Sequence, residues 1–329
     1  MNKKLTIVVP HYKEPWDVCK FLFDSIELQH GIDFDDFDVL VVNDGDDVIL
    51  DKSLFDKYSY KINYGVKPHS GLSETRNYGI DHGDSEYVMF CDCDDGFLNN
   101  YGLHLVLGAI QEGFDFLHSI FIEEQPLDGG WRVFRREKDL VFVHGKCYRR
   151  QFLIDKDLRF DPEMYLNEDS IFNKCAYEEA KSNDAVRYIE TPFYLWTWHG
   201  DSTVRKGRED IIIRTYDQVM KMRIKVCEQL EKRGFIDEYY EMVCRTVTDS
   251  YYDFNEPQFL AHEGDEMWVN AEKQFKKFWK KYSKAYYECD AERIGRTMMQ
   301  SRLRAYNAGL KVERIDLKSW LKHIKNDVN

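Results

Sequence analysis

Three carboxylates within four residues, Asp92, Asp94 and Asp95, close the apolar run Tyr87-Val88-Met89-Phe90 and are followed by Gly96. A packed interior does not bury unpaired carboxylates, so these acids belong at a strand's end, facing water or a cation. Side chains two apart in an extended segment point the same way. Asp92 and Asp94 can therefore share one hard divalent ion, Mg²⁺ or Mn²⁺, and such an ion can clamp a diphosphate. An acidic turn accounts for the same residues without chemistry, because Asp and Gly are ordinary turn formers, and Asp95 serves to shape that turn. A second acidic pair, Glu168-Asp169, opens a helical pattern, where the helix dipole alone favours acids.

The elements that must position these acids read as an α/β protein. Residues 5–10 are continuously apolar, which predicts a strand in a parallel sheet covered on both faces. Residues 11–15 form a loop, and the apolar spacing over 16–28 predicts an amphipathic helix. A second strand, 37–42, stops at Asn43-Asp44-Gly45-Asp46-Asp47. This is a βαβ unit, whose loops gather where ligands bind in open sheets, at the carboxyl ends of the strands. Residues 61–65 are a short third strand. After it Gly71 opens a helix with Ser73 as a cap, and Arg76 falls in the early turns, where its fork and the free N–H groups can meet a phosphate. Residues 105–112 predict a helix, 114–122, 131–134 and 140–143 strands, and 168–180 a helix capped by Asn167.

The series Thr6-Ile7-Val8-Val9-Pro10, Val41-Val42-Asn43-Asp44-Gly45, Gly71-Leu72-Ser73-Glu74-Thr75-Arg76-Asn77-Tyr78-Gly79-Ile80 and Tyr87 through Asp95 resembles the family-2 glycosyltransferases of the GT-A fold, over residues 4 to about 205. The resemblance implies a Rossmann-like α/β nucleotide-diphospho-sugar transferase domain at 1–206. Residues 207–329 become a helical C-terminal domain for an acceptor or partner. It also implies that Asp44 contacts the nucleobase, with Pro10, Tyr12, Glu14, Asn43, Gly71, Arg76, Asp92 and Arg205 on the donor. Asp92 and Asp94 would hold Mn²⁺ or Mg²⁺ on the diphosphate, and His199 would complete the shell, imidazole suiting Mn²⁺ better. Asp169 would be the general base of an inverting transfer, with Glu168 beside it, and His144, Lys146 and Trp198 would lie on the acceptor side. Asn43 departs from the family's usual Asp, and Asp46 stands where Ser is common.

The partners implied are a nucleotide-sugar donor and a hydroxyl acceptor: a glycan, a lipid-linked saccharide or a small molecule. An alternative acceptor is a hydroxylated base in DNA, as in virus-encoded transferases. A non-catalytic sugar-nucleotide-binding relative or a nucleotidyltransferase is the competing class. Intact acid pairs argue against a dead enzyme.

Composition narrows the class further. Hydrophobic residues are 43% and charged residues 32% of 329, the balance of a globular chain. No run approaches the roughly 18 apolar residues of a membrane span. The basic start precedes an apolar run too short for a signal peptide, so the expectation is a cytoplasmic protein, in the host's cytoplasm if viral. Eight cysteines without a Cys-x-x-Cys pair argue against structural zinc and a disulfide framework. The net charge of −13 is uneven: residues 265–329 hold 15 Lys and Arg against 9 Asp and Glu, a balance of +6 that leaves −19 for residues 1–264. Helix-like patterns cover 211–231, 238–252, 267–287 and 291–310. Within the third, Phe275, Phe278, Trp279 and Tyr282 read as an apolar stripe packed on the catalytic domain, with the interleaved lysines in water. An anionic membrane surface, met peripherally, or nucleic-acid phosphate are the functional readings of that tail.

Overall fold

The computed structural model describes residues 3–45, 50–127, 130–199, 211–307, 309 and 316–326. The chain divides into two units, Met1–Ser202 and Thr203–Asn329. The first is built on a mixed sheet of β1 (Leu5–His11), β2 (Phe37–Asn43), β3 (Lys61–Val66), β4 (Tyr87–Phe90), β5 (Gly96–Phe97), β6 (Phe116–Leu127), β7 (Gly130–Arg136), β8 (Cys147–Arg149) and β9 (Val186–Trp196). The strand order is β3-β2-β1-β4-β8-β6-β9-β5, with β7 paired to β6. β2 is parallel to β1 and β3, and β4 is parallel to β1, so the carboxyl ends of β1 to β4 share one edge. β8 is antiparallel to both β4 and β6, and β9 is parallel to β6, so β6 and β9 run toward that same edge. Residues following β4, β6 and β9 are thereby brought together.

Helices α1 (Trp16–Glu27), α2 (Leu72–His82), α3 (Gly102–Glu112), α4 (Arg150–Asp155) and α5 (Glu168–Ser182) cover the sheet's two faces. Leu5, Ile7 and Val9 of β1 enter one core with Leu22 and Phe23 of α1 and Leu103 and Val106 of α3. Val8 enters the other with Phe90, Ile80 of α2, Phe152 of α4 and Phe172 of α5. Cover on both faces is why these strands are unbroken apolar runs. α2 lies close on β1 because Gly79 has no side chain; a Cβ there would sit 2.4 Å from Val8 Cγ1.

Three local expectations change. Residues 140–143 form no strand. Asp139 Oδ1 accepts from the N–H groups of Val141 and Phe142, and Asn173 Nδ2 donates to their carbonyls, so side chains satisfy this backbone without a ladder. Asn167 does stand at the N-cap of α5, but with a left-handed φ of +64° and no capping bond from its side chain. Gly71 is the N-cap of α2, and Ser73 lies inside the helix and donates to the Asp161 carbonyl.

The second unit is helical: α6 (Ile211–Arg214), α7 (Tyr216–Lys232), α8 (Ile236–Asp253), α9 (Pro257–Leu260), α10 (Glu266–Glu288), α11 (Ala291–Asn307) and α12 (Leu317–Asn326). α8 packs against α7, α10 and α11. The stripe of α10 is buried, but it finds partners inside this unit: Phe275 meets Phe254 and Trp320, and Tyr282 meets Tyr239. The tail's arginines have partners here too. Arg293 pairs with Asp237, Arg296 with Glu241, and Arg304 with Asp249 and Asp253, so part of the positive balance answers the acids of α8. The eight cysteines are free thiols. No helix among the described residues is long and apolar enough to cross a membrane.

Candidate active site

Arg76, in the early turns of α2, is only 2% exposed. Its Nη1 donates to Glu168 Oε1 at 2.8 Å and its Nη2 to Asp92 Oδ1 at 3.0 Å, so one guanidinium joins the first turn of α5 to the end of β4. Burial works against its charge, yet Asp92, Glu168 and Asp169 outweigh burial and hold its pKa above the ordinary value. Burial likewise pushes the Asp92 carboxyl up, but Arg76 and His144 bring it net down. Asp94 lacks that pairing; burial and the charge of Asp92 raise it to about 6. Asp95 is raised further by burial and by both neighbouring acids, and it accepts from the Tyr194 hydroxyl at 2.8 Å and the Thr197 N–H at 3.0 Å. Asp95 is therefore more than a turn former: it ties the end of β9 to the acidic loop.

β9 delivers His199 to the same place. Its Nε2 lies 2.9 Å from the Asp94 carbonyl oxygen and 3.0 Å from Thr197 Oγ1. Among the described residues, ligand atoms of Asp92, Asp95 and His144 all lie within 4.8 Å of one another. Carboxylate oxygens with an imidazole are donors that suit Mn²⁺ or Mg²⁺, and the upward shifts of Asp94 and Asp95 come first from burial and then from crowding of like charge, both of which a cation would offset. The grouping differs from the expected one. Asp95 and His144 stand with Asp92, while His199 meets Asp94 through its backbone carbonyl.

The loops after β1 to β3 form a neighbouring surface. Pro10 is buried in β1, Tyr12 is partly exposed and stacks on His69 with ring centroids 4.5 Å apart, and Glu14 accepts from the Tyr12 N–H at 2.7 Å. Asn43 is fully buried, donating to the Tyr64 hydroxyl and accepting from the Gly45 N–H. Asp44 accepts from the N–H groups of Ser70 and Gly71 at 3.0 and 2.9 Å, pairs with Lys67, and has His69 Nδ1 at 2.8 Å. Burial would raise its pKa, but Lys67 and the two N–H groups lower it. Gly71 can turn here because its φ is +91°, and no atom lies within 4 Å of where a Cβ would stand, which leaves open space at the start of α2.

Asp169 is half-buried beside Glu168. Burial and the Glu168 charge push its carboxyl well above the usual range, against the pull of Arg76, the Ser170 N–H and Lys146. His144 and Lys146 are interior, 3% and 1% exposed. His144 packs among Phe142, Tyr194 and Trp196, and the Lys146 ammonium donates to the Phe142 carbonyl near Asp139. Trp198 is half-buried and its N–H donates to Glu124 Oε2 at 3.2 Å. Asp46 and Arg205 lie outside the described residues. Sequence reasoning missed Lys67, Tyr194 and Thr197. Lys67 and Thr197 carry no local signal, whereas Tyr194 sits in the aromatic run before His199 and anchors both the Asp92 N–H and Asp95.

Residues 6–165 match the sequence profile described as Glycosyl transferase family 2. The minor teichoic acid biosynthesis protein GgaB of Bacillus subtilis (strain 168) is 30% identical over 295 residues, 79% of this chain and 32% of that protein. The poly(ribitol-phosphate) beta-N-acetylglucosaminyltransferase TarS of Staphylococcus aureus is 27% identical over 201 residues, 54% of this chain and 33% of TarS. The chain thus spans about a third of the length of these two relatives. The crystal structure of S. aureus TarS 1-349 covers 95% of this chain and 94% of its own, with a TM-score of 0.60 at 18% identity. Its complex with UDP-GlcNAc gives a TM-score of 0.57, also at 18% identity. Such likeness establishes the fold and leaves chemistry to the site. Residues 6–165 thus match glycosyl transferase family 2, and the chain shares the GT-A fold of TarS.

Proposed function

We propose that the protein moves a sugar from a uridine-diphosphate sugar to a hydroxyl of a polyol-phosphate chain, with inversion at the anomeric carbon. The observation that carries this reading is the single guanidinium of Arg76, which holds the acidic edge at Asp92 against the Glu168-Asp169 pair. A donor diphosphate and an acceptor hydroxyl need those two groups of acids side by side. Support for the donor and acceptor classes comes from the relatives: the TarS structure holds UDP-GlcNAc, and both curated relatives are named for teichoic acid or poly(ribitol phosphate). The DNA reading loses part of the tail's support, because Arg293, Arg296 and Arg304 of α11 face acids of α8.

In the reaction the acceptor oxygen bonds to the anomeric carbon as the bond from that carbon to the diphosphate oxygen breaks. The hydroxyl proton passes to Asp169, and the electron pair leaves with UDP. A raised proton affinity makes Asp169 a stronger base than an ordinary carboxylate. A divalent cation held by Asp92 and Asp94, with Asp95, His144 and His199 close by, would neutralise charge on the departing diphosphate. Arg76 keeps Asp92 ionised, and Tyr194 fixes the loop through the Asp92 N–H.

The test is mass spectrometry of poly(ribitol phosphate) incubated with the protein, Mn²⁺ and UDP-sugars. We expect added hexosamine or hexose mass, and Asp169→Asn should slow its appearance by about 10²–10⁴-fold. Because the base must be ionised, activity should fall as pH drops through the raised pKa of Asp169, at a higher pH than an ordinary Asp would set. Polymer that gains no mass with any UDP-sugar overturns the reading.

A further inference from the structure

The direction of the sheet carries β6 past the acidic edge. Phe121, Ile122 and Glu123 pair with Tyr194, Leu195 and Trp196 of β9, whose successors Thr197 and His199 reach Asp95 and Asp94. β6 continues for four more residues and returns as β7, antiparallel to it. Glu124, near the base of this hairpin, accepts from the Trp198 N–H. The hairpin therefore rises from the edge that holds the site.

Its outer strand has an unusual surface. Among the described residues β7 pairs with β6 alone, so it is an edge strand. Edge strands are commonly blunted by charge. β7 does carry Arg132, Arg135 and Arg136, but it also presents Trp131 at 66% exposure and Val133 at 62%. Strand alternation puts Trp131, Val133 and Arg135 on one face. Arg132 lies over the Phe134 ring at 4.3 Å on the other, and Arg136 turns back to the buried Glu123. Arg135 meets the exposed Glu137, and Lys138 follows, also exposed. This is a basic strip with a bare indole, on the part of the chain that is otherwise strongly acidic.

Such a strip is matched by a flexible chain that alternates phosphodiesters with hydroxylated carbon. Guanidinium forks suit phosphate oxygens, and an indole face suits the C–H surface of a polyol or sugar. Duplex DNA fits poorly, since its broad phosphate front would bring the surrounding acids against like charge. We propose that the β6–β7 hairpin is the acceptor-binding element: Trp131 packs on the polyol backbone while Arg135 and Lys138 hold flanking phosphates and feed a hydroxyl toward Asp169. The proposal rests on the polyol-phosphate reading above and adds where that chain is gripped.

The experiment measures binding of poly(ribitol phosphate) to the full chain at 50 and 200 mM salt, with donor hydrolysis, the release of UDP from UDP-GlcNAc without acceptor, read in parallel. The triple variant Trp131→Ala, Arg135→Ala, Lys138→Ala should bind the polymer at least tenfold more weakly and with a salt slope shallower by about 2, one for each cation removed. Its UDP release and melting temperature should match the parent, because the three side chains are exposed and lie outside the donor site. Unchanged polymer affinity in the variant, or no affinity in the parent, overturns the proposal. Duplex DNA that binds the parent at least as tightly, through the same three residues, overturns it in favour of a nucleic-acid partner. Failure of the transferase reading would show separately, as a parent that binds polymer through the hairpin yet releases no UDP.

Discussion

Arg76 is the residue on which both halves of the site depend. Its two Nη groups hold Glu168 and Asp92, both drawn toward the interior, so removing it strands two carboxylates. Arg76→Ala should cost about 3–5 kcal/mol of stability, read by denaturant unfolding. Arg76→Lys should recover only part of it, since an ammonium cannot span both acids as a planar fork does. A variant as stable as the parent would show that the bridge is not formed in solution. At this scale the sequence carried a good deal. Asp92, Asp94 and Asp169 stood out because acids cluster at a strand's end and a helix's start, although turn formation and the helix dipole explain acids there too. Asp95 and His144 did not, because what matters about them is contact with Tyr194, Thr197 and Asp92, residues far apart in the chain. Asp44 was legible as a loop acid, but nothing local showed that Lys67, Ser70 and Gly71 converge on it.

The elements were legible where burial is simple. β1, β2 and β4 are short apolar runs that end in polar residues, and two-sided cover leaves no other reading for them. β8, three residues long, drew no strand reading, and residues 140–143 were read as a strand. Both errors have one cause. Whether a short apolar segment pairs depends on distant partners, here β4 and β6 for β8 and the Asn173 amide for 140–143. The fit of α2 against β1 makes a prediction of its own. Gly79→Ala forces a methyl group onto Val8 and should destabilise by about 1–3 kcal/mol. Adding Val8→Ala should return part of that loss, so the two changes are not additive. Thermal unfolding of the two single variants and the double checks this, and simple additivity would mean that the helix shifts instead.

At the scale of the whole chain, two units divide the charge and the chemistry. The uneven charge, which the sequence leaves between a solvated helical face and an anionic partner for the tail, is answered in part inside the helical unit, where Arg223 and Arg304 meet Asp249, Asp253 and Glu256. Burial and the charge of Asp253 raise Glu256 to about 7, against the pull of Arg304. A carboxyl with a folded pKa above its unfolded value stabilises while protonated, so this contribution is present below pH ~4.5 and lost as pH rises toward ~7. Glu256→Gln should flatten that fall, leaving stability at pH 8 above the parent's, as melting curves at pH 5 and 8 would show. The same slope in parent and variant would place the titration elsewhere. The first unit holds the proposal that matters most, that its acidic edge is a donor site working through Asp94. Release of UDP from UDP-GlcNAc with Mn²⁺, compared between the parent and Asp94→Asn, tests it directly. The parent should release UDP, and the variant should do so about 10²-fold more slowly or less while melting no lower. A parent that releases nothing from any UDP-sugar, or a variant that keeps the parent's rate, would contradict it.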